Sequence, residues 1–415
     1  MRIWILNHYA CQRHGTGLTS HAVLAHYLRA MGHEPVVFPA AFAQVHAPAA
    51  RLSPRRLFAD CIDDGTRFRF IRAREYHSTL GRFWNMRSYA RNVVRATDDL
   101  PPPDVVIGSL AHPFAVEAAW RLARRRGAKF VYEIRDIWPQ SLIDLGSLSP
   151  WHPICRYFAR LERQAFRRAD AVMSVLPGIA EYAATHGVPA DRVLYLPNGI
   201  DPAIFPELAE PPADGPFVIS CFGRFGSGND MDTIVAAAET LHQRPEAVNI
   251  RIRLVGDGPS KTVLERRAAA AGLTNIEFLG LVGKHELVEL SRESHAFVHA
   301  HRRMSVVERY GMSVNKVFGF MAAGRPVLFA CRSSYDPIRE ARAGLTVEPE
   351  DPAALAQAMF ELSRTPDAER RAMGARARQH VLQYHDLSKL ARRLDAFLAD
   401  LVSAPRLPAT HRRAA

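Results

Sequence analysis

Residues 217–241 read FVISCFGRFGSGNDMDTIVAAAETL. The run FVISCF has the length of one buried strand, GRFGSGN frees the backbone for a tight turn, and from Met231 apolar residues recur at helical spacing. Asn229 or Asp230 stands where a helix cap belongs. Strand, glycine loop and helix in that order form a βα unit, the building block of a parallel sheet covered by helices. Arg224 lies in the loop that opens this unit. Its planar, permanently charged fork can hold a phosphate through paired hydrogen bonds. A solvated surface arginine is the plain alternative, and the position in the loop favours phosphate.

The same alternation extends in both directions. After residue 241 come IRIRLV (250–255), IEFLG (276–280), AFVHA (296–300), PVLFA (326–330) and LTVEP (345–349), with helical patterns between them. Before it lies the proline-rich PAIFPELAEPPADGP (202–216), the best linker in the chain. Ahead of that is a first series: RIWILN (2–7), PVVF (35–38), DVVIGS (104–109), KFVYEI (129–134), AVMSVL (171–176) and RVLYLP (192–197). Helices are expected over Thr19–Met31 and Phe114–Arg126, and 39–99 reads as an irregular insert. The fold class is therefore α/β, with two Rossmann-like doubly wound domains over 1–198 and 199–385. A helix over 386–403 is expected to pack back on the first domain, and 404–415 reads as a disordered tail. Ligand chemistry is expected at the carboxyl ends of the strands, in a cleft between the domains.

The 415 residues hold 54 Lys and Arg against 42 Asp and Glu, a formal charge of +12 that attracts polyanions, phosphates or an acidic membrane surface without choosing among them. The five cysteines are far apart with no Cys-x-x-Cys pair, which speaks against a zinc site or a disulfide framework and for a reducing compartment. The first residues lack a signal-peptide core, and nowhere do 18 apolar residues run together. A cytoplasmic protein is expected, one that can associate with the inner face of the membrane.

Several further groups could carry chemistry. Gly15, Thr16 and Gly17 follow the first strand and precede a helix, where amides suit a phosphate or sugar oxygen. The spacing is not Gly-x-Gly-x-x-Gly, so nicotinamide dinucleotide binding is poorly supported, and a mere βα turn is an equal reading. His112 and Asp136 lie just past two later strands, where they could orient a substrate hydroxyl or shuttle a proton; each could equally cap a helix. In ERYGMSVNKVFGFMAAGRPVL (308–328), Ser313 is the expected N-cap, so that the amides of Val314, Asn315 and Lys316 and the Lys316 ammonium make a second anion site. Arg224 and this turn could together hold a diphosphate without a metal. Asp230 and Asp232 read as caps, and His295, His299 and His301 as a disfavoured metal set. In 67–91 arginines alternate with aromatics, a pattern that suits a half-buried strand and helix, an anionic membrane surface or stacked nucleic-acid bases.

Taken together, GHEPVVF (32–38), IRDIWPQSL (134–142), LPNGID (196–201), FGRFGSGNDMDTI (222–234), LVGDGP (254–259), IEFLGLV (276–282) and NKVFGFMAAGRPVL (315–328) resemble the retaining, nucleotide-sugar-dependent glycosyltransferases of family 4. The branch most resembled is that of L-fucosamine transferase-like enzymes of O-antigen and capsule assembly. The resemblance implies the GT-B fold, with the donor held by the second domain and the acceptor by the first. It implies that Arg224 holds the donor diphosphate and that Gly15 to Gly17 face the reacting centre. It further implies that His112 lies near the transferred sugar, and that the backbone of Gly280, Leu281 and Val282 meets the nucleobase. Two departures stand out. Asn229 replaces a common lysine, a loss that Lys316 could make good. Gly319 replaces a glutamate that normally holds the nucleotide ribose, while Glu308 matches the first glutamate of that pair with a spacing longer by three residues.

These features lead to a retaining, metal-independent hexosyltransferase that needs no cofactor. It would move a sugar from a nucleoside diphosphate donor, uridine-based, to a lipid-linked or saccharide acceptor in surface polysaccharide synthesis. The missing glutamate motivates the alternative of a non-catalytic GT-B partner subunit. The charge motivates a third reading, nucleic-acid binding, which the block of motifs does not support.

Overall fold

A computed structural model describes residues 1–13, 20–42, 52–53, 55–205 and 207–404. The Gly15–Gly17 loop and the tail beyond residue 404, for both of which the sequence carries expectations, lie outside the described residues. Contacts divide the chain into two units. The first is Met1–Pro197 with the chain from Leu387 onward, and the second is Asn198–Asp386.

The first unit is built on β1 (Arg2–Leu6), β2 (Glu34–Phe38), β3 (Phe58–Asp63), β4 (Thr66–Ile71), β5 (Val105–Ser109), β6 (Lys129–Ile134), β7 (Ala171–Ser174) and β8 (Val193–Tyr195). These form one sheet in the order β3-β4-β2-β1-β5-β6-β7-β8. Every neighbouring pair is parallel except β3 with β4. The central strands are buried along their whole length, as a sheet with helices on both faces requires.

The region 39–99 is more regular than expected. Asp64 and Gly65 both take positive φ (50° and 74°), the conformation of a tight hairpin turn, and so join β3 to β4. Alternation in TRFRFI then buries Phe68 and Phe70. Arg69, also buried, is satisfied by forked bonds to Asp60 and Asp99. A helix, Thr79–Arg95, follows, capped by Ser78, whose side chain accepts from the Gly81 amide.

The last helix, Leu387–Ser403, belongs to this first unit. Leu387, Leu390, Ala391, Leu394, Leu398 and Leu401 form one apolar stripe in the core with Ile3, Ile5, Val23 and Leu28. His33 Nε2 and Asp395 Oδ1 meet at 2.7 Å beside it.

On the helix Pro153–Arg168, Glu162 turns inward and accepts from the Tyr182 hydroxyl at 2.7 Å. Burial lifts its carboxyl to about 7 despite that bond. The folded carboxyl thus keeps its proton up to about 7, whereas an unfolded one releases it near 4.5. Its contribution to stability therefore falls as pH rises through that window. Glu162→Gln is expected to raise stability by about 1–3 kcal/mol at about pH 8 and to change it little at about pH 4, read from urea unfolding at the two pH values.

The second unit holds β9 (Phe217–Phe222), β10 (Ile250–Val255), β11 (Ile276–Leu279), β12 (Ala296–Ala300), β13 (Val327–Ala330) and β14 (Gly344–Val347). The order is β11-β10-β9-β12-β13-β14, all parallel. From the neighbours β9 and β12 the chain runs outward in opposite directions, to β10 and β11 and to β13 and β14, and the carboxyl ends of all six strands share one edge. The switch point at β9 and β12 is where an open α/β sheet offers a ligand crevice.

Candidate active site

At that switch point the loop after β9 is held against the loop after β10. Gly223 N donates to Val255 O at 2.9 Å, and Phe225 N donates to Asp257 O at 2.9 Å. Gly256, at φ +139°, comes so close that a Cβ would stand 2.0 Å from Gly223 O. Glycine is thus required there by both conformation and space, which explains the LVGDGP run.

Asp230 caps the helix Met231–His242, accepting from Thr233 N at 3.3 Å and from Thr233 Oγ1 at 2.5 Å. Asn229 is left for another task. Its Nδ2 donates to Arg224 O at 2.8 Å, and its Oδ1 accepts from Lys316 Nζ at 2.9 Å. The side chain of Arg224 is exposed, and its guanidinium has no hydrogen-bond or ion-pair partner among the described residues. One amide thus links the Lys316 ammonium to the backbone of the Arg224 loop, while the Arg224 guanidinium itself is not held by it.

Lys316 is the unusual member. Its half-buried ammonium is pushed below the usual lysine range by desolvation, and among the described residues Asn229 Oδ1 is its one hydrogen-bond acceptor and no carboxylate pairs with it. An ammonium has three donors, so this one keeps capacity for an anion. His299, near the end of β12, is fully buried, and neither ring nitrogen has a hydrogen-bond partner among the described residues. Burial first and the Lys316 charge second hold it well below the usual histidine range. Among the described residues no group neutralises Lys316, a costly arrangement unless a ligand's negative charge completes it.

The helix carrying Lys316 is Asn315–Ala322, and Val314 occupies its N-cap position without a side-chain cap. The expectation of a Ser313 cap is corrected. Ser313 Oγ instead accepts from Asn198 N at 2.9 Å, and Ser313 O accepts from Asn198 Nδ2 at 2.7 Å. LPNGID thus pins the approach to the helix, and the uncapped first amides are left to other partners. Glu308, on the short helix Ser305–Tyr310, has Oε1 buried without a hydrogen bond, 3.7 Å from Arg303 Nη1. Gly280, Leu281 and Val282 follow β11 at the same edge of the sheet; Gly280 O accepts from Gly256 N at 3.1 Å, and Leu281 is exposed. A Cβ on Gly319 would meet the Phe205 ring at 3.5 Å, ordinary contact, so the backbone there accepts a larger residue.

In the first unit His112 is fully buried and caps the helix Pro113–Arg126, its Nδ1 accepting from Ala115 N at 3.2 Å. The hydrogen is then on Nε2, which donates to His8 Nδ1 at 3.1 Å. That in turn places the His8 hydrogen on Nε2, beside the Asn85 side chain. Burial brings His8 to about 3 and pushes His112 well below its usual range, so both rings stay neutral. His112 thus serves as a cap with both nitrogens engaged, not as a free proton shuttle. Asp136 Oδ1 accepts from Ile137 N at 2.8 Å and from the Ser141 hydroxyl, holding the turn after β6.

Sequence reasoning missed a buried polar group in this unit. Glu133 Oε2 meets His21 Nε2 at 2.7 Å, and its Oε1 accepts from Arg135 Nη1 at 3.1 Å. Asn7 Nδ2 reaches both Ser109 Oγ at 3.0 Å and the His21 ring at 3.2 Å. The one available signal was a glutamate inside an otherwise apolar strand, KFVYEI.

Comparison with known proteins agrees with this geometry. Residues 16–199 match the family model described as a glycosyl transferase 4-like domain, and 216–365 match that of glycosyl transferases group 1, between them the greater part of the chain. The chain belongs to the GT-B glycosyltransferases. WcaI of Escherichia coli, a protein assigned to colanic acid biosynthesis, is 25% identical over 191 residues, covering 43% of this chain and 46% of that one. The match thus spans under half of that relative's length. Sucrose-phosphate synthase from Thermosynechococcus elongatus has the same fold, with a TM-score of 0.75 and 16% identity over 97% of this chain and 100% of that one. Anabaena HepE, solved in complex with UDP and glucose, has a TM-score of 0.67 and 15% identity over 96% and 100%. The finer placement in the L-fucosamine transferase-like branch remains a matter of sequence resemblance.

Proposed function

We propose that this GT-B member is a retaining, metal-independent glycosyltransferase. It moves a hexose from a nucleoside diphosphate donor, uridine-based, to a lipid-linked or saccharide acceptor in surface polysaccharide synthesis at the cytoplasmic face of a membrane. The observation that carries this reading is the half-buried Lys316 ammonium, without a carboxylate partner among the described residues and tied through Asn229 to the backbone of the Arg224 loop at the carboxyl end of β9. The UDP found in HepE supports the choice of nucleotide.

The bond between sugar C1 and the diphosphate oxygen breaks while the acceptor oxygen bonds to C1 on the same face. The acceptor proton passes to the departing phosphate oxygen. Negative charge grows on the diphosphate, beside Lys316 and the uncapped amides before Val317, with the exposed Arg224 guanidinium available to close on it, so these groups stabilise the transition state more than the ground state. Arg224→Ala is expected to slow transfer about 10- to 150-fold, the worth of one charge-assisted hydrogen bond of roughly 1.5–3 kcal/mol. An unchanged rate in a folded variant rejects the assignment.

Gly319 favours a second reading, a non-catalytic partner subunit that lacks the ribose-holding carboxylate. Donor-dependent transfer by the purified chain alone decides between them. Gly319→Glu tests the same point: with room for its Cβ against Phe205, the variant is expected to fold and to bind UDP about tenfold more tightly or better, measured by calorimetry.

A further inference from the structure

Two helices of the first unit repeat one surface pattern. On Thr79–Arg95 the exposed residues Leu80, Trp84, Arg87, Arg91 and Arg95 follow at helical spacing. On Pro153–Arg168 exposed Ile154 and Tyr157 lie in the opening turns, Arg156, Arg160, Arg163 and Arg167 run along the helix at helical spacing, and Trp151 stands just before it. Each helix thus begins with large apolar groups in water and continues as a stripe of arginines. Trp151 is 87% exposed and Leu80 68%, values that a packing role does not explain.

The two beginnings lie at the same end of the helical layer. Phe83 contacts Phe114 at 5.3 Å between ring centroids, and Phe114 contacts Tyr157 at 6.4 Å. Phe114 starts the helix Pro113–Arg126, which packs against both others. The apolar tips therefore form one neighbourhood, and the arginines extend from it. Arg87, Arg91, Arg95, Arg156, Arg160 and Arg163 have no ion pair among the described residues. The acids nearby are engaged elsewhere: Glu162 is turned inward to Tyr182, Glu117 holds Arg121 and Arg168, and Asp98 holds Arg125 and Arg126.

We propose that this face docks on an anionic phospholipid bilayer. Tryptophan and tyrosine suit the headgroup boundary because each ring has an apolar body and a polar tip, and leucine and isoleucine add buried area. Arginines without counter-ions find theirs in lipid phosphates, and the attraction falls with salt. A single-stranded nucleic acid would use the arginines but leave Leu80 and Ile154 in water, so the apolar tips favour lipid. The proposal is independent of the donor site.

The test is co-sedimentation of the full chain, without nucleotide, with vesicles of phosphatidylcholine alone or mixed with phosphatidylglycerol. Binding is expected to the mixed vesicles only, to weaken with added salt, and to fall about a hundredfold in Arg156→Glu/Arg160→Glu/Arg163→Glu. Trp151→Ser is expected to weaken it as well, while transfer to a soluble acceptor stays at the wild-type rate in both variants. Arg87→Glu/Arg91→Glu repeats the test on the other helix should the triple variant not fold. Equal binding by wild type and charge-reversed variants, no binding to mixed vesicles, or displacement from them by a single-stranded oligonucleotide overturns the proposal.

Discussion

Lys316→Met is expected to lower the transfer rate about 10²- to 10³-fold while the protein melts at no lower temperature than wild type. The first effect follows from removing a cation that Asn229 already holds in place, where one preoriented donor is worth roughly 3–4 kcal/mol to the transition state. The second follows from the lack of a carboxylate partner among the described residues: a partly desolvated, uncompensated ammonium costs stability in the empty protein, and a methionine of similar length removes that cost without a cavity. Asn229 Oδ1 loses its donor, a smaller loss of about 1 kcal/mol. Steady-state transfer and a thermal melt on the same sample check both halves. A lysine retained for folding would give the reverse, a lower melting temperature and an intact rate.

The second large effect concerns the first unit. Glu133→Ala is expected to destabilise it by about 3–5 kcal/mol, because His21 and Arg135 lose a buried charge partner at once. Burial by itself would raise the Glu133 carboxyl, yet His21, Arg135 and a bond from Ser109 hold it at about 2. Since the folded value lies below the unfolded one, this stabilisation is present above about 4.5 and is lost as pH falls toward 2. Urea unfolding followed at neutral pH and again near pH 3 is expected to show the variant's deficit shrinking in acid.

What the sequence disclosed depended on whether the cause was local. Strands β9, β10 and β12 were legible to the residue because FVISCF and AFVHA are mostly apolar runs and IRIRLV alternates buried Ile250, Ile252 and Leu254 with half-buried arginines. The hairpin over 58–71 was hidden by its charged faces, although Asp64-Gly65 was a usable turn signal. Asp230 as a cap was legible, being three residues before its partner amide. Ser313 misled, because the competing donor, Asn198 N, lies 115 positions away in the chain.

The candidate site was legible only in its parts. Arg224 and Lys316 were identifiable as cations at helix openings, and Lys316 as the possible replacement for a lysine at 229. That Asn229 would bind Lys316 directly, 87 positions away, was not. The His21–Glu133 pair, separated by 112 positions, left only a glutamate in a buried strand as its trace. Long-range polar pairing has no periodicity to read, which is why the sheet was more transparent than the chemistry on it.

The most direct measurement is product formation by the purified full chain given a panel of nucleoside diphosphate sugars with and without a polyprenyl diphosphate sugar acceptor. The expected result is transfer from a UDP-sugar with the donor's anomeric configuration kept in the product, and its near-abolition in Lys316→Met. Folded protein that transfers and hydrolyses none of the donors, and binds UDP no better than Lys316→Met does, would contradict the account.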